Sequence, residues 1–281
     1  MFYFDKILDY SYSDDGFTLV LSAIIKGQSD IYVHNLAAHT NEQLTNDNAE
    51  DFNPRFINHS KQIIFSSNRN SDTLDNLTGK VDVQPATDIF IYNFSTRSNL
   101  LTRITKSKYV NETNPFEISR LSFTYLSDET GIINRFVSKY DSTINYIDTA
   151  VHYRYFTRKN MLSDYTRNIN GFDINDNKLL EIFRYNGKDR IIILDTDTTG
   201  LPKGKSAVTG FRKIYTQSLI KQDSLIKPSK EPEKITFQEP QKKLVEKVSE
   251  DTIVNIYNYI FRNFFHKFFR GFLKCYFLRF L

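Results

Sequence analysis

The sequence predicts an all-β chain built from repeated antiparallel sheets, on three observations. Short runs rich in Ile, Val, Phe and Tyr alternate with polar turn clusters, the strand Gln62 to Ser67 among them. The same order of turn and strands recurs, Ser13-Asp14-Asp15-Gly16 standing about 45 residues before Asn58-His59-Ser60. The chain also holds 24 Phe and 17 Tyr with no Trp, and both aromatics favour strands. A period in the mid-forties with several short strands per unit is the signature of a propeller blade. The expected architecture is therefore a partial β-propeller of about three to four antiparallel four-stranded blades. An ordinary antiparallel sandwich with chance internal similarity is the competing reading.

The elements follow in order. In the first unit, the Ser13 to Gly16 turn precedes the strand Thr18 to Ala23, and a second strand starts at Asp30-Ile31-Tyr32-Val33. The unit closes on Leu44-Thr45. The second unit opens at Asn53-Pro54, where Pro54 fixes its own φ and is expected to hold Asn53 extended in a turn. Its strand carries Ile63, Ile64 and Phe65 and ends on Ser66-Ser67-Asn68-Arg69. The next strand is Asp88-Ile89-Phe90-Ile91-Tyr92, and the unit closes on Ile104-Thr105. Between them lies an insertion of roughly 16 residues, Ser71 to Ala86, poor in apolar side chains and read as a blade loop. Its Asp72, Asp75 and Asp82 offer carboxylates, but their spacing matches no calcium loop, so a solvated loop is expected.

The third unit repeats Asn114-Pro115, then Ser122 to Tyr125, with Ile132 to Val137, Ile144 to Ile147 and His152 to Phe156 as further strands. The fourth spans Asn168 to Leu194: a polar turn at Asp173 to Asn177, a strand Lys178 to Phe183, an Asn186-Gly187 hairpin and a return at Arg190 to Leu194.

These residues resemble the TolB-like propeller repeat, a WD-like repeat of bacterial envelope proteins. The match is densest over Asn53, Pro54, Phe56, Ile64, Phe65, Ser66, Ser67, Asn68 and Arg69, and Asp88, Ile89, Tyr92, Ile104 and Thr105 complete that blade. Ser13, Asp14, Asp15, Gly16, Asp30, Ile31, Tyr32, Leu44 and Thr45 supply the first, and Asn114 and Pro115 the start of the third. The family's Ser-Pro-Asp-Gly turn is degraded to Asn58-His59-Ser60-Lys61. The resemblance covers residues 10 to 195 and implies a non-enzymatic scaffold that binds protein or envelope partners through blade loops. An alternative it also implies is the substrate-gating propeller of a larger peptidase or hydrolase whose catalytic domain lies elsewhere. It further implies a periplasmic or outer-membrane-associated location.

Several classes of function find no support. No His-Glu-x-x-His, Gly-x-Ser-x-Gly or Cys-His pattern occurs, and the five histidines are scattered. The single cysteine, Cys275, excludes an internal disulfide framework and a thiolate cluster. Gly204-Lys205-Ser206 lacks the Walker spacing, and no amphipathic helix is read after it. Asp195-Thr196-Asp197 lacks the acidic twelfth position of a calcium loop. Catalytic residues, metal, cofactor and nucleic acid are thus not expected, whereas protein partners are.

Met1 to Tyr10 lacks the basic start, apolar stretch and cleavage site of a secretory signal. It reads as the end of a preceding blade, which makes the chain an expected piece of a longer propeller. Residues 1–195 are assigned to the blades, 196–252 to a disordered polar linker and 253–281 to a short amphipathic helical segment. Charge divides accordingly: residues 1–200 carry 21 basic and 26 acidic side chains, residues 201–281 carry 16 and 7. In the last segment, Phe265, Phe268 and Phe269 recur at helical spacing while Arg262, Arg270 and Lys274 fall on another face. Three origins stay open: a basic helix lying in a membrane interface over 255–281, a stretch read out of frame in A/T-rich coding DNA, or a packed terminal helix.

Overall fold

The computed structural model describes residues 4–75, 78–147, 151–175, 178–196 and 207–225. Fifteen strands and one helix make up this region. The first sheet contains β1 (Lys6–Tyr12), β2 (Thr18–Ile25), β3 (Gln28–Asn35) and β4 (Thr40–Gln43). The second contains β5 (Asp51–Ile57), β6 (Gln62–Arg69), β7 (Val83–Asn93) and β8 (Thr102–Arg103). The third contains β9 (Glu112–Ser119), β10 (Ser122–Ser127), β11 (Asn134–Ile147) and β12 (Val151–Met161), and the fourth β13 (Ile169–Asn175), β14 (Lys178–Tyr185) and β15 (Lys188–Asp195). Each sheet is an antiparallel meander in chain order, four strands in the first three and three in the last. The sandwich alternative is thereby excluded.

The sheets stack face to face, and this explains why the strands read as continuous apolar runs. A sheet covered on both faces must be apolar at consecutive positions. In β6, Ile63 and Phe65 join Val20, Ile31, Val33, Phe90 and Tyr92 in the core between the first and second blades. Ile64, pointing the other way, joins Ile89, Ile91, Phe123, Tyr125 and Phe136 in the core between the second and third. Phe116, Leu126, Ile169, Phe172, Leu179 and Phe183 fill the gap between the third and fourth.

Several local expectations are corrected. Asn53-Pro54 and Asn114-Pro115 are not turns before a strand but bulges within the first strand of their blades. Asn53 and Asn114 sit at φ 52° and 51° rather than extended. Asn tolerates the left-handed region, and proline, lacking an N–H, suits the residue left out of the ladder. Asp173 to Asn175 belongs to strand β13 rather than to a turn. The separate strands read at Ile132 to Val137 and Ile144 to Ile147 are one strand, β11. The insertion is more than a solvated loop, since Leu74 is buried in the core between the first two blades.

Within the stretch expected to be linker, Gly210–Leu225 forms the helix α1. Thr209 caps it, its hydroxyl accepting from the Arg212 N–H at 3.3 Å. Arg212 then reaches into the third blade, 3.2 Å from the Asp128 carboxylate and bonded to the Tyr109 carbonyl. These tertiary contacts decide a helix that its own composition scarcely announces. A helix therefore does follow Gly204-Lys205-Ser206, although that tripeptide lies outside the described residues. The same holds for Cys275 and for Arg262, Phe265, Phe268, Phe269, Arg270 and Lys274. No helix among the described residues is long and apolar enough to cross a membrane.

Candidate functional site: an axial groove above polar clamps

The meander puts one set of turns at each end of the blades. The β1–β2, β5–β6 and β9–β10 turns share one end, the turn face, and the connections between blades share the other. β1 packs beside β5, β5 beside β9, and β9 beside β13. Between these four first strands opens a groove of about 960 Å³, lined by residues from all four.

Its walls are held by contacts that cross from blade to blade. The Asn53 side chain donates to the Asp9 carboxylate at 3.2 Å, and its own carbonyl accepts from the Asn114 N–H at 3.3 Å. The two bulge asparagines thus form steps of one ladder. Arg55 pairs with Asp9 at 2.8 Å and lies 5.0 Å from the ring centroid of Phe116, which occupies the matching position after Asn-Pro in the next blade. At the mouth, the Asn58 N–H donates to Glu117 at 2.8 Å, and Ser60 bonds both the N–H and the carboxylate of Asp14. His59, Arg120 and Asp173 line the same opening.

Beside this mouth the third blade extends a ribbon. β11 pairs with β10 only as far as Lys139, whereas Tyr140 to Ile147 pair with β12 alone. Eight residues at strand spacing raise it roughly 25 Å above the turn face. It exposes Ile144, Tyr146 and Tyr155, with Tyr140 stacked on Tyr155 and Tyr146 on His152.

The sequence-predicted motif residues mostly build the opposite end. Asp30 and Asp88 each stand one residue before a backbone N–H that donates to a threonine hydroxyl: Ile31 to Thr45 at 2.9 Å, Ile89 to Thr105 at 2.8 Å. Each hydroxyl in turn donates to its aspartate at 3.4 Å. The third blade has the same device in other residues. Arg135 N–H donates to Ser163, and Ser163 to Asn134, at 2.8 and 3.0 Å. Sequence reading missed this copy because Asn134-Arg135-Phe136 and Leu162-Ser163 replace Asp-Ile-Tyr and Leu-Thr.

Arg69 is the centre of the connection face. Its guanidinium grips Asp51 with two bonds of 2.8 and 2.7 Å and Asp47 with one of 3.0 Å, and all three side chains are fully buried. Burial works against its charge, but the Asp51 and Asp47 carboxylates outweigh it and hold the guanidinium more firmly protonated. Burial pushes the Asp30 carboxyl up to about 7, with repulsion from Asp51 and Asp47 adding to it. Ser67 accepts from Arg69 Nε at 2.9 Å, and Asn68 from the Glu50 N–H at 2.8 Å. Phe65, Ser66, Tyr32 and Tyr92 are buried, Phe65 and Tyr92 in the core between the first two blades. Asp15 and Gly16 shape the first turn: Asp15 accepts from Ser13 and from the Phe17 N–H, and Gly16 sits at φ 72°.

The motif residues hold blades together, and the groove side chains Arg55, Glu117, Arg120 and Asp173 were not singled out in the sequence. The available signal was position: the residue after each Asn-Pro faces the groove. Asp72, Asp75 and Asp82 do not converge. Asp72 lies 3.6 Å from Arg103, Asp75 accepts from the Thr78 N–H, and Asp82 accepts from Asn70. No group of three potential metal ligands occurs among the described residues.

Antiparallel blades standing side by side, with their first strands around one groove, define a β-propeller fold. No family model matches the sequence, and no curated protein matches it. Among solved structures, the chain is similar to putative TolB from Agrobacterium tumefaciens, at 13% identity and a TM-score of 0.51, covering 72% of this chain and 66% of that one. It is similar to TolB from Acinetobacter baumannii at 17% identity and a TM-score of 0.47, covering 69% of this chain. A puromycin-hydrolyzing peptidase of Mycobacterium tuberculosis matches at 13% identity and a TM-score of 0.46, over 70% of this chain and 30% of that one. The fold is that of the TolB-like propellers. The chain spans 42% of the length of the Acinetobacter protein.

Proposed function

We propose that this chain is a non-enzymatic propeller scaffold of the cell envelope that binds a protein partner through its turn face. The observation that carries the reading is the groove itself. Four strands and the turns after them contribute aromatic and charged side chains of both signs, and the Asn58 amide, to one open cleft flanked by a ribbon of exposed tyrosines. Such a surface suits an extended polypeptide, because mixed polar walls recognise main-chain and side-chain groups together while exposed aromatics supply contact area. The envelope assignment rests on the family resemblance of the repeat.

Photo-crosslinking tests the surface. A crosslinking residue placed at Arg120 or Tyr146, both on the turn face, is expected to capture a discrete protein partner in cells. The same residue at Lys80, in the insertion at the opposite end, is expected to capture none. Adducts from Lys80 alone would overturn the assignment of the face, and a purely cytosolic pool on fractionation would overturn the envelope location.

A further inference from the structure

The fourth blade stops one strand short of its neighbours. Its order is β13-β14-β15, and no strand among the described residues pairs with the outer edge of β15. Among the described residues nothing guards that edge. It holds no proline or bulge, and Ile191, Ile192 and Ile193 are 63, 41 and 67% exposed.

The side chains along this edge are not uniformly apolar. Arg190 pairs with Phe183 and Ile192 with Glu181, so both share the sheet face that looks toward the third blade. There they border a slot of about 420 Å³ with Tyr165, Arg167, Phe183 and Tyr185. Arg167 and Arg190 both stack on the Tyr185 ring, at 4.4 and 4.9 Å. Neither has a carboxylate within ion-pair distance among the described residues, whereas Arg69, Arg103, Arg135 and Arg212 each do. Two guanidiniums without an ion-pair partner among the described residues, beside an aliphatic edge, define the chemistry of what fits.

We propose that β15 accepts an extended acidic peptide segment of another polypeptide, which adds the fourth strand to the blade. Strand addition supplies main-chain hydrogen bonds along the free edge, and alternate side chains read the two faces. An antiparallel segment meets Ile193, Ile192, Ile191 and then Arg190, so it carries an aliphatic run ending on Asp or Glu. Its carboxylate enters the slot between Arg190 and Arg167, and its central aliphatic residue covers Ile192.

A second copy of this chain fits poorly. Two copies of β15 related by a two-fold axis normal to the sheet keep the same face up, so residues of like parity oppose each other. The register centred on Ile192 then sets Asp189 against the partner copy's Asp195 twice, and like charges directly opposite destabilise a pair. Sliding the register by two residues toward the N-terminus sets Arg190 against Ile192 and leaves the guanidiniums unanswered.

The test uses the full chain and a fluorescent peptide, Thr-Val-Ile-Val-Glu-Thr, capped at both ends, beside the same peptide with Lys for Glu. The acidic peptide is expected to bind about tenfold more tightly than the lysine peptide, a difference of about 1.4 kcal/mol. Binding is expected to slow hydrogen exchange along β15, and Arg190→Glu to reverse the preference. Should Arg190→Glu fail to fold, the two peptides on the wild-type protein decide alone. Equal binding of both peptides overturns the proposal, as does exchange along β15 that the acidic peptide leaves unchanged. So does a β15 already protected in the free protein, whether sedimentation finds a dimer or a monomer that covers its own edge. Crosslinking at Arg120 and Tyr146 reports on a separate surface, so the two readings fail independently.

Discussion

Replacing Arg69 by alanine leaves two fully buried carboxylates, Asp47 and Asp51, without their counter-charge. Breaking a buried ion pair by removing one partner costs about 3–5 kcal/mol, because the remaining charge is dehydrated and uncompensated. Here two carboxylates are stranded and four side-chain hydrogen bonds are lost, three to the carboxylates and one to Ser67, so the upper end of that range is expected. Against a domain stability of about 5–15 kcal/mol, this removes a large share. Arg69→Lys keeps the charge but not the three guanidinium nitrogens that reach Asp51, Asp47 and Ser67 at once, and is expected to cost about 1.5–3 kcal/mol. The triple change Arg69→Met, Asp51→Leu, Asp47→Asn removes the charges together. It is expected to cost less than Arg69→Ala alone, since no buried charge is left uncompensated. Urea unfolding followed by far-ultraviolet circular dichroism reads all three. A loss below about 1 kcal/mol for Arg69→Ala would refute the clamp, as would a triple variant less stable than the single one.

Two further outcomes follow from the same end of the blades and from the core. The folded Asp30 carboxyl titrates at about 7, above its ordinary 3.8. A raised pKa means the folded state binds the extra proton, so this contribution is fully present below about pH 4 and is lost as pH rises through 7. Melting temperature across pH 5 to 8 should therefore fall more steeply for the wild type than for Asp30→Asn, and parallel curves would remove Asp30 as the cause. Phe65→Asp places an unpaired carboxyl between the first and second blades, where Phe65 is 1% exposed. It should cost several kcal/mol, on the order of other unpaired buried charges, and a wild-type urea midpoint would contradict the assigned core.

The blades were legible because their information is local and repeated. Ile63-Ile64-Phe65 reads as a strand buried on both faces, and the spacing of Asp30-Ile31-Tyr32 to Asp88-Ile89-Phe90 sets the repeat. The tertiary structure decided what the motifs do. Arg69 and Asp51 lie 18 residues apart, and only the pairing of β5 with β6, with Asp47 brought in from the connection before β5, makes them a buried clamp. Asn53 and Asn114 meet across 61 residues, so no local pattern shows that their Asn-Pro steps are bulges lining a groove. The helix at Gly210–Leu225 depends in the same way on Arg212 reaching Asp128. Sequence by itself determined the strands, since side-chain alternation and turn chemistry act between near neighbours. Which side chains face one another across the blades is set by stacking geometry, which lies in no single stretch of the chain.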